Sequence, residues 1–469
     1  MRLCGSGRHR LTRDGAGGQP CSVAEVILSS RTNEPMLKTG WVQPFVSLLP
    51  LVLAGTWQTA SPSQVQPTAP EVVVVPTLGT DHQFALDYSV AHVAAVLDAI
   101  APDALAIADV TDWLRAGCVY RAVLPENHIA LKYAREKPIP IWGTRTPPPP
   151  SEYEHTVEAI HRENERYATP DAVEREYRVR LDETTARIAR EFSFTPDSQT
   201  LRSLLRSGFP ARAATWTPSE REAIAAANGR IIESLVSLIR ANPQRRWAVL
   251  LPWGNAVGMA ELLRAQSGVR YRPVDEFLTS ADSALAKRMD TGNISWILSG
   301  MLDDWYGMWA PQIFPAQRIA ALLRQLQTLA PRDPSTRFLE ARWLMRNRDF
   351  RAAESVLMDL VAGAGEARFP FPINGKWIRP PWSSVQKKAK LNLAFVHDLR
   401  GDRDGALRLY RELLAAPDLD AEARAAGYAY DDIRWVIEDY TRRPFTGRPE
   451  EAFRHYRGKA AMPPCATRQ

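Results

Sequence analysis

Chemistry in this chain would have to start at Leu78-Gly79-Thr80-Asp81-His82, where a glycine, a carboxylate and an imidazole fall within four residues. Val72-Val73-Val74-Val75, just before it, is a β-branched run of the kind that fills a strand buried on both faces. A polar loop at the carboxyl end of such a strand is where an active site sits in an open α/β sheet. Other familiar constellations are missing. Neither Gly79 nor Gly254 belongs to a GxGxxG or P-loop pattern, so nucleotide binding has no support. There is no GxSxG elbow, and no Ser/His/Asp set stands out.

The elements that must position this loop are readable. Tyr88 to Ile100 has apolar residues at helical spacing, and Pro102-Asp103 ends it. Ala104 to Ala108 is a second strand ending at Asp109, and Tyr120 to Lys137 is a turn followed by a helix. Ile139-Pro140-Ile141-Trp142-Gly143 gives a third strand. This β-α-β-α-β order predicts a mainly parallel sheet. A second α/β unit follows: an amphipathic helix over Ser219 to Arg240, a strand at Trp247 to Leu251, and a turn at Pro252-Trp253-Gly254-Asn255. A helix from Val257 to Ala265 and a short strand at 269 to 271 close it. Gly79 and Gly254 each follow a strand, where a tight turn calls for positive φ.

Between these units, residues 151 to 207 read as exposed helices whose opposite charges recur at three- and four-residue offsets. His155 and His161 lie six apart there, on different helix faces, and read as surface residues. The last third is helical and repeats itself. Phe338 to Leu357 parallels Leu391 to Tyr410, with Ala341 aligned to Ala394 and Ala353 to Ala406, 53 residues apart both times. Small residues there let antiparallel helices approach closely. The pattern resembles the tetratricopeptide repeat, whose period of about 34 is stretched by the Pro-rich insertion Phe369 to Trp382. The aromatics of that insertion read as a plug over the seam between repeats. The fold expected is thus α/β, with a mainly parallel sheet flanked by helices over 71–280. An all-α, helical-hairpin domain follows over 281–440, with a tail to 469.

Residues 1–35 are Gly/Arg/Ser-rich without periodicity and read as a mis-called extension before the true start at Met36. Met36-Leu37-Lys38, the apolar run Trp41 to Gly55 and the small residues through Ala60 have the three-part shape of a signal peptide. That run is short for a span of about 20 residues and carries Pro44 and Pro50. Export to the periplasm or outside the cell is therefore expected, with no stable transmembrane helix after cleavage and 61–70 as linker. From Met36 on, only Cys118 and Cys465 remain, in no CxxC or Cys/His spacing, so a zinc knuckle or redox dithiol is excluded. Across 469 residues, 45% hydrophobic and 24% charged content is ordinary for a globular chain. A net charge of +6, with scattered arginines, does not point to nucleic acid.

Several short motifs together give a resemblance to the TraB/ChaN/erythromycin-esterase-like superfamily over roughly residues 71 to 275. Its Leu-Gly-Thr-x-His motif is matched by Leu78 to His82, and its Pro-Asp-x-Ile-x-x-Glu strand is echoed by Pro102 to Asp109. A Pro-Glu heading a helix is echoed by Pro125-Glu126 and Ala130-Leu131-Lys132-Tyr133-Ala134. The place of a late Gly-x-x-His turn is taken by Gly254-Asn255. The resemblance implies a metal-dependent hydrolase site, with His82 and Asp109 as ligands of a divalent metal. Asp81 or Glu126 would be the third ligand, or Glu126 an acid/base, and Gly79, Asp81, Gly254 and Asn255 would line the substrate pocket. The departures weigh more. Asp109 is one methylene shorter than the family's acid, and no histidine stands between Trp253 and Met259. A catalytic metal needs three protein ligands and an open position. The reading favoured is a degenerate hydrolase-like scaffold whose helical repeats bind a protein or peptide; the alternative is an active metal-dependent hydrolase using His82 and Asp109.

Overall fold

Five parallel strands carry the α/β region: β1 (Glu71–Thr77), β2 (Ala104–Val110), β3 (Ile141–Arg145), β4 (Arg246–Pro252) and β5 (Arg270–Arg272). The computed structural model describes residues 69–79, 82, 86–115, 125–145, 175, 200–243, 246–302, 314, 316–370, 383–419 and 430–448. Outside the described residues lie Asp81, the proposed extension and signal segment, the linker up to residue 68, both remaining cysteines, most of 151–200 with His155 and His161, residues 371–382, and the tail beyond 448. The described part of the chain falls within one compact unit, Val65–Gln469.

The valine run behaves as its composition requires. Val72 to Val75 are all essentially buried, and alternation sends them to two different cores. Val73 and Val75 share one face with Leu105, Ile107, Ala248 and Leu250. That face is covered by α1 (Val90–Ile100) and, through Ile129 and Ala130, by a helix running from Pro125 to Glu136. Between these two helices in sequence lies the short α2 (Thr111–Arg115), so the Pro125–Glu136 helix is α3. Val72 and Val74 share the opposite face with Ala104, Ala106, Trp247, Val249 and Leu251.

After a short helix α4 (Phe209–Ala214), two long helices, α5 (Pro218–Ala241) and α6 (Trp253–Arg264), cover that second face with Ile231, Leu235, Ile239, Met259 and Leu263. Local chemistry fixes the ends of these helices. Thr217 caps α5 and exchanges a capping box with Glu220, while Pro218 occupies the first helical position. Ala101 ends α1 in the left-handed conformation at φ 48°, just before Pro102.

The sheet is parallel as expected, and the structure supplies the strand order that the sequence reading left open. The order is β3-β2-β4-β1-β5, so β4 enters between β1 and β2. Val72 pairs with Trp247 and Thr77 with Pro252, while Leu105 pairs with Ala248. The two α/β units that follow one another in sequence are therefore interleaved in one sheet. The turn expected at 252–255 is revised. Helix α6 begins at Trp253, directly after the strand, so Gly254 is helical and has no positive φ. Gly79, by contrast, does adopt φ 58°.

Beyond the sheet the chain is helical: α7 (Leu278–Arg288), α8 (Thr291–Leu302), α9 (Ala316–Leu329), α10 (Pro334–Arg346), α11 (Phe350–Gly363), α12 (Val385–Leu399), α13 (Arg403–Leu414) and α14 (Tyr430–Arg442). Helices α10/α11 and α12/α13 form successive hairpins, each packing on the next. Ala341, Ala353, Ala394 and Ala406 are all fully buried, as the repeat spacing requires of small residues at close helix contacts. Asp349 and Asp402, also 53 apart, cap the second helix of each hairpin. Phe369 is buried edge-on against Phe338 with the Lys388 ammonium over its ring, filling the seam between α10 and α12. The Arg342 guanidinium donates to the Leu302 carbonyl at 2.6 Å and to Asn392 at 3.1 Å, tying both hairpins to α8. Among the described residues no helix is long and apolar enough to cross a membrane.

Candidate functional site

The carboxyl ends of β1 and β2 and the first turn of α3 meet at one buried polar corner. Thr77 has the parity of Val73 and Val75, which aims its hydroxyl at the face covered by α3; Thr77 Oγ1 donates to Glu126 Oε1 at 3.0 Å. Glu126 sits in the first turn of α3, where an acid complements the positive end of the helix dipole. Its neighbour Asn127 donates from Nδ2 to Asp109 Oδ2 at 3.0 Å, at the end of β2. Thr77, Asp109, Glu126 and Asn127 are all at most 2% exposed. With β4 between them, β1 and β2 stand roughly 10 Å apart, and the first turn of α3 bridges their ends.

His82 has a defined place at the Gly79 turn that follows β1. The Leu78 N–H donates to its Nε2 at 3.1 Å, and its Nδ1–H donates to the Tyr88 carbonyl at 2.6 Å. Tyr88 in turn donates its hydroxyl to the Pro76 carbonyl at 2.5 Å, and the two rings meet edge-on at 5.1 Å. The Gly79 turn is thereby closed on itself. Burial holds the His82 imidazole neutral, lowering its pKa to about 4 against a partly offsetting bond to Tyr88. Burial, reinforced by Glu126, pushes the Tyr88 phenol well above its usual range. A metal ligand must offer a bare nitrogen lone pair. In this arrangement Nδ1 carries the proton and the Nε2 lone pair is taken by Leu78. Among the described residues no group of three or more His, Cys, Asp or Glu side chains is placed to hold a metal ion.

Glycine at position 143 is needed for close approach, not for a turn. A Cβ there would lie 2.0 Å from the Asp109 carbonyl oxygen and 2.5 Å from the Thr111 nitrogen. The Thr111 hydroxyl occupies the same contact, accepting from Gly143 N–H at 2.9 Å. Strand β3 thus sets the position of Asp109, at an irregularity in the β2–β3 register.

Gly254 and Asn255 end up on the other side of the sheet. Asn255 and Asn228 of α5 form an amide pair, Nδ2 of Asn255 to Oδ1 of Asn228 at 2.9 Å and Nδ2 of Asn228 to the Asn255 carbonyl at 3.0 Å. Trp253 stacks between Phe209 and Trp216, each 5.5 Å away, with the Arg212 guanidinium 5.4 Å from its ring centre. Because Thr77 pairs with Pro252, the two bends leave the sheet side by side. They diverge because α6 covers one face and α1 and α3 the other. Such a reversal of connection direction marks the crevice where open α/β sheets bind ligands.

Of the residues singled out in the sequence, then, Asp109 and Glu126 belong to the polar corner, His82 ties the Gly79 turn to Leu78 and Tyr88, and Asn255, next to Gly254, pairs with α5. Thr77, Tyr88 and Asn127 were not anticipated. The parity of Thr77 with the valine run was the available signal for the first. Compared with protein-family models, with curated proteins and with solved structures, the chain finds no match in any of the three.

Proposed function

We propose that this is an exported protein in which a hydrolase-like α/β module, of the TraB/ChaN/erythromycin-esterase-like kind, serves as a scaffold, and the helical hairpins bind a protein or peptide. The observation that carries the scaffold half is the commitment of both His82 ring nitrogens to backbone partners. A loop that spends its imidazole on closing itself is using it as a structural tie. The binding half is supported by the successive hairpins α10 to α13, since stacked helix pairs offer an extended surface for partners. The runner-up, a metal-dependent hydrolase using His82 and Asp109 with Glu126 beside them, draws on the burial of three ionisable groups at the carboxyl ends of the strands.

Metal analysis of the purified protein, with His82→Ala and Asp109→Ala as controls, separates the two. The scaffold reading expects no stoichiometric metal under any loading condition; one equivalent, lost in both variants, would overturn it. For the binding half, a random-peptide display selection should enrich sequences that protect amides between residues 334 and 414 from hydrogen exchange. No enrichment, or protection confined to residues 71–145, would overturn it.

A further inference from the structure

A cavity of about 180 Å³ lies where the α/β region meets the helical region, between the start of α1 and helices α7, α8 and α9. Its polar wall is Asp87, Ser89, His92 and Arg318. None of these takes part in the Thr77–Asp109–Glu126 corner. Leu285, Ile297 and Leu322 form the facing apolar wall. The volume falls below the roughly 300 Å³ at which drug-sized pockets begin, so a ligand would be small.

The polar wall has hydrogen-bonding capacity to spare. Arg318 Nη2 donates to Asp87 Oδ1 at 2.7 Å, and neither side chain has another hydrogen-bond partner among the described residues. That one-point contact leaves Nε and Nη1 of the guanidinium and Oδ2 of the carboxylate available. His92 is fixed from one side only. The Ser89 N–H donates to His92 Nδ1 at 3.1 Å, and the Ser89 hydroxyl lies 2.9 Å from the same nitrogen. Its proton therefore sits on Nε2, which has no acceptor among the described residues. Burial keeps the ring neutral, with its pKa lowered to about 4, although Asp87 and Asp282 pull it up and Arg318 pushes it down. The wall thus offers a cation, an anion and a neutral N–H donor opposite an aliphatic surface.

We propose that this cavity binds a free aliphatic α-amino acid as its zwitterion. Arg318 and the His92 Nε2–H take the carboxylate, Asp87 takes the ammonium, and Leu285, Ile297 and Leu322 pack on the side chain. A plain carboxylate would meet Arg318 but leave its charge facing Asp87, and a plain amine would face Arg318. Only a ligand carrying both signs completes the pair already on the wall. This assignment is independent of the scaffold reading of the polar corner.

Isothermal titration of the purified full chain with L-leucine, 4-methylpentanoate and 3-methylbutylamine tests it, since the last two are leucine without its amine and without its carboxylate. Leucine should bind, and each analogue should bind at least roughly tenfold more weakly. Arg318→Gln and Asp87→Asn should each weaken leucine by a similar factor. Leu322→Phe, which fills the space, should abolish binding while the far-ultraviolet circular dichroism is unchanged. If that variant fails to fold, the Arg318→Gln and Asp87→Asn titrations decide alone. No heat of binding for leucine, isoleucine or valine up to about 10 mM, or equal affinity for 4-methylpentanoate, would overturn the proposal.

Discussion

Acid should weaken this fold through His82 well before its carboxylates are protonated. In the folded chain the imidazole is neutral down to about pH 4, whereas the unfolded chain takes up a proton near the ordinary value of 6.5. Between those limits the unfolded state holds more protons, so stability falls as pH falls, and the contribution is fully present only above 6.5. A gap of that size corresponds to about 2 kcal/mol lost by pH 5 and about 3 kcal/mol by pH 4. The structural reason is direct. A proton on Nε2 would face the Leu78 N–H, turning a hydrogen bond into a repulsion at the Gly79 turn. Urea midpoints between pH 7.5 and 4.5, compared for the wild type and His82→Gln, isolate the effect from other titrating groups. The variant should be less stable at pH 7.5 but lack about 2 kcal/mol of the acid slope. Parallel slopes, or an NMR titration placing the His82 pKa near 6.5 in the folded protein, would refute the reasoning.

Other substitutions test the positions of individual residues. Gly143→Ala forces a Cβ into the Asp109 backbone and should cost about 3 kcal/mol or more in chemical denaturation, whereas Gly254→Ala meets Trp216 at 3.6 Å and Ile224 at 4.0 Å, both ordinary contacts, and should be neutral or stabilising by about 0.5 kcal/mol. Arg288 of α7 donates to Asp98 of α1 at 2.6 Å and to Glu136 of α3 at 3.0 Å. Arg288→Met should therefore cost about 1–3 kcal/mol in a urea melt, since among the described residues Asp98 would keep only Lys137, 3.9 Å away. Ala341→Leu and Ala394→Leu, each overfilling a hairpin contact, should each cost about 1–3 kcal/mol of stability, read as a lowered thermal midpoint.

Local signals carried the elements; long-range pairing carried the arrangement. The valine run, the continuous apolar run of β4 and the alanines 53 residues apart were legible because each depends on the residues of a single strand or helix pair. The insertion of β4 between β1 and β2 was not, since nothing near Val72 or Ala104 encodes a preference for Trp247 or Ala248. The polar corner was half legible. A glycine-histidine loop after a buried strand marked the place, but whether His82 faces a ligand or its own backbone depends on Tyr88, six residues later. Gly254 misled because a glycine after a strand suits either a turn or a helix start, and the Trp253 stack on Phe209 and Trp216 selects the helix. Gly143 is the converse case. It passes in sequence for an ordinary strand residue, and only the packing of Asp109 against it shows that no other side chain fits.

The central position of β4 also bears on how such a chain comes to be folded. Glu71 and Arg246 are ion-paired neighbours in the finished sheet yet lie 175 residues apart, and closing a loop of that size costs about 4–5 kcal/mol of chain entropy before any contact rewards it. Until that closure β2 has only β3 beside it and β1 has neither of its neighbours, because β4 and β5 belong to a segment made much later. Emerging from the ribosome, the first half of the region has no way to complete a sheet on its own. A polypeptide built this way has no complete sheet until synthesis has passed Arg272, so the whole of 71–272 must be available before its strands can settle together.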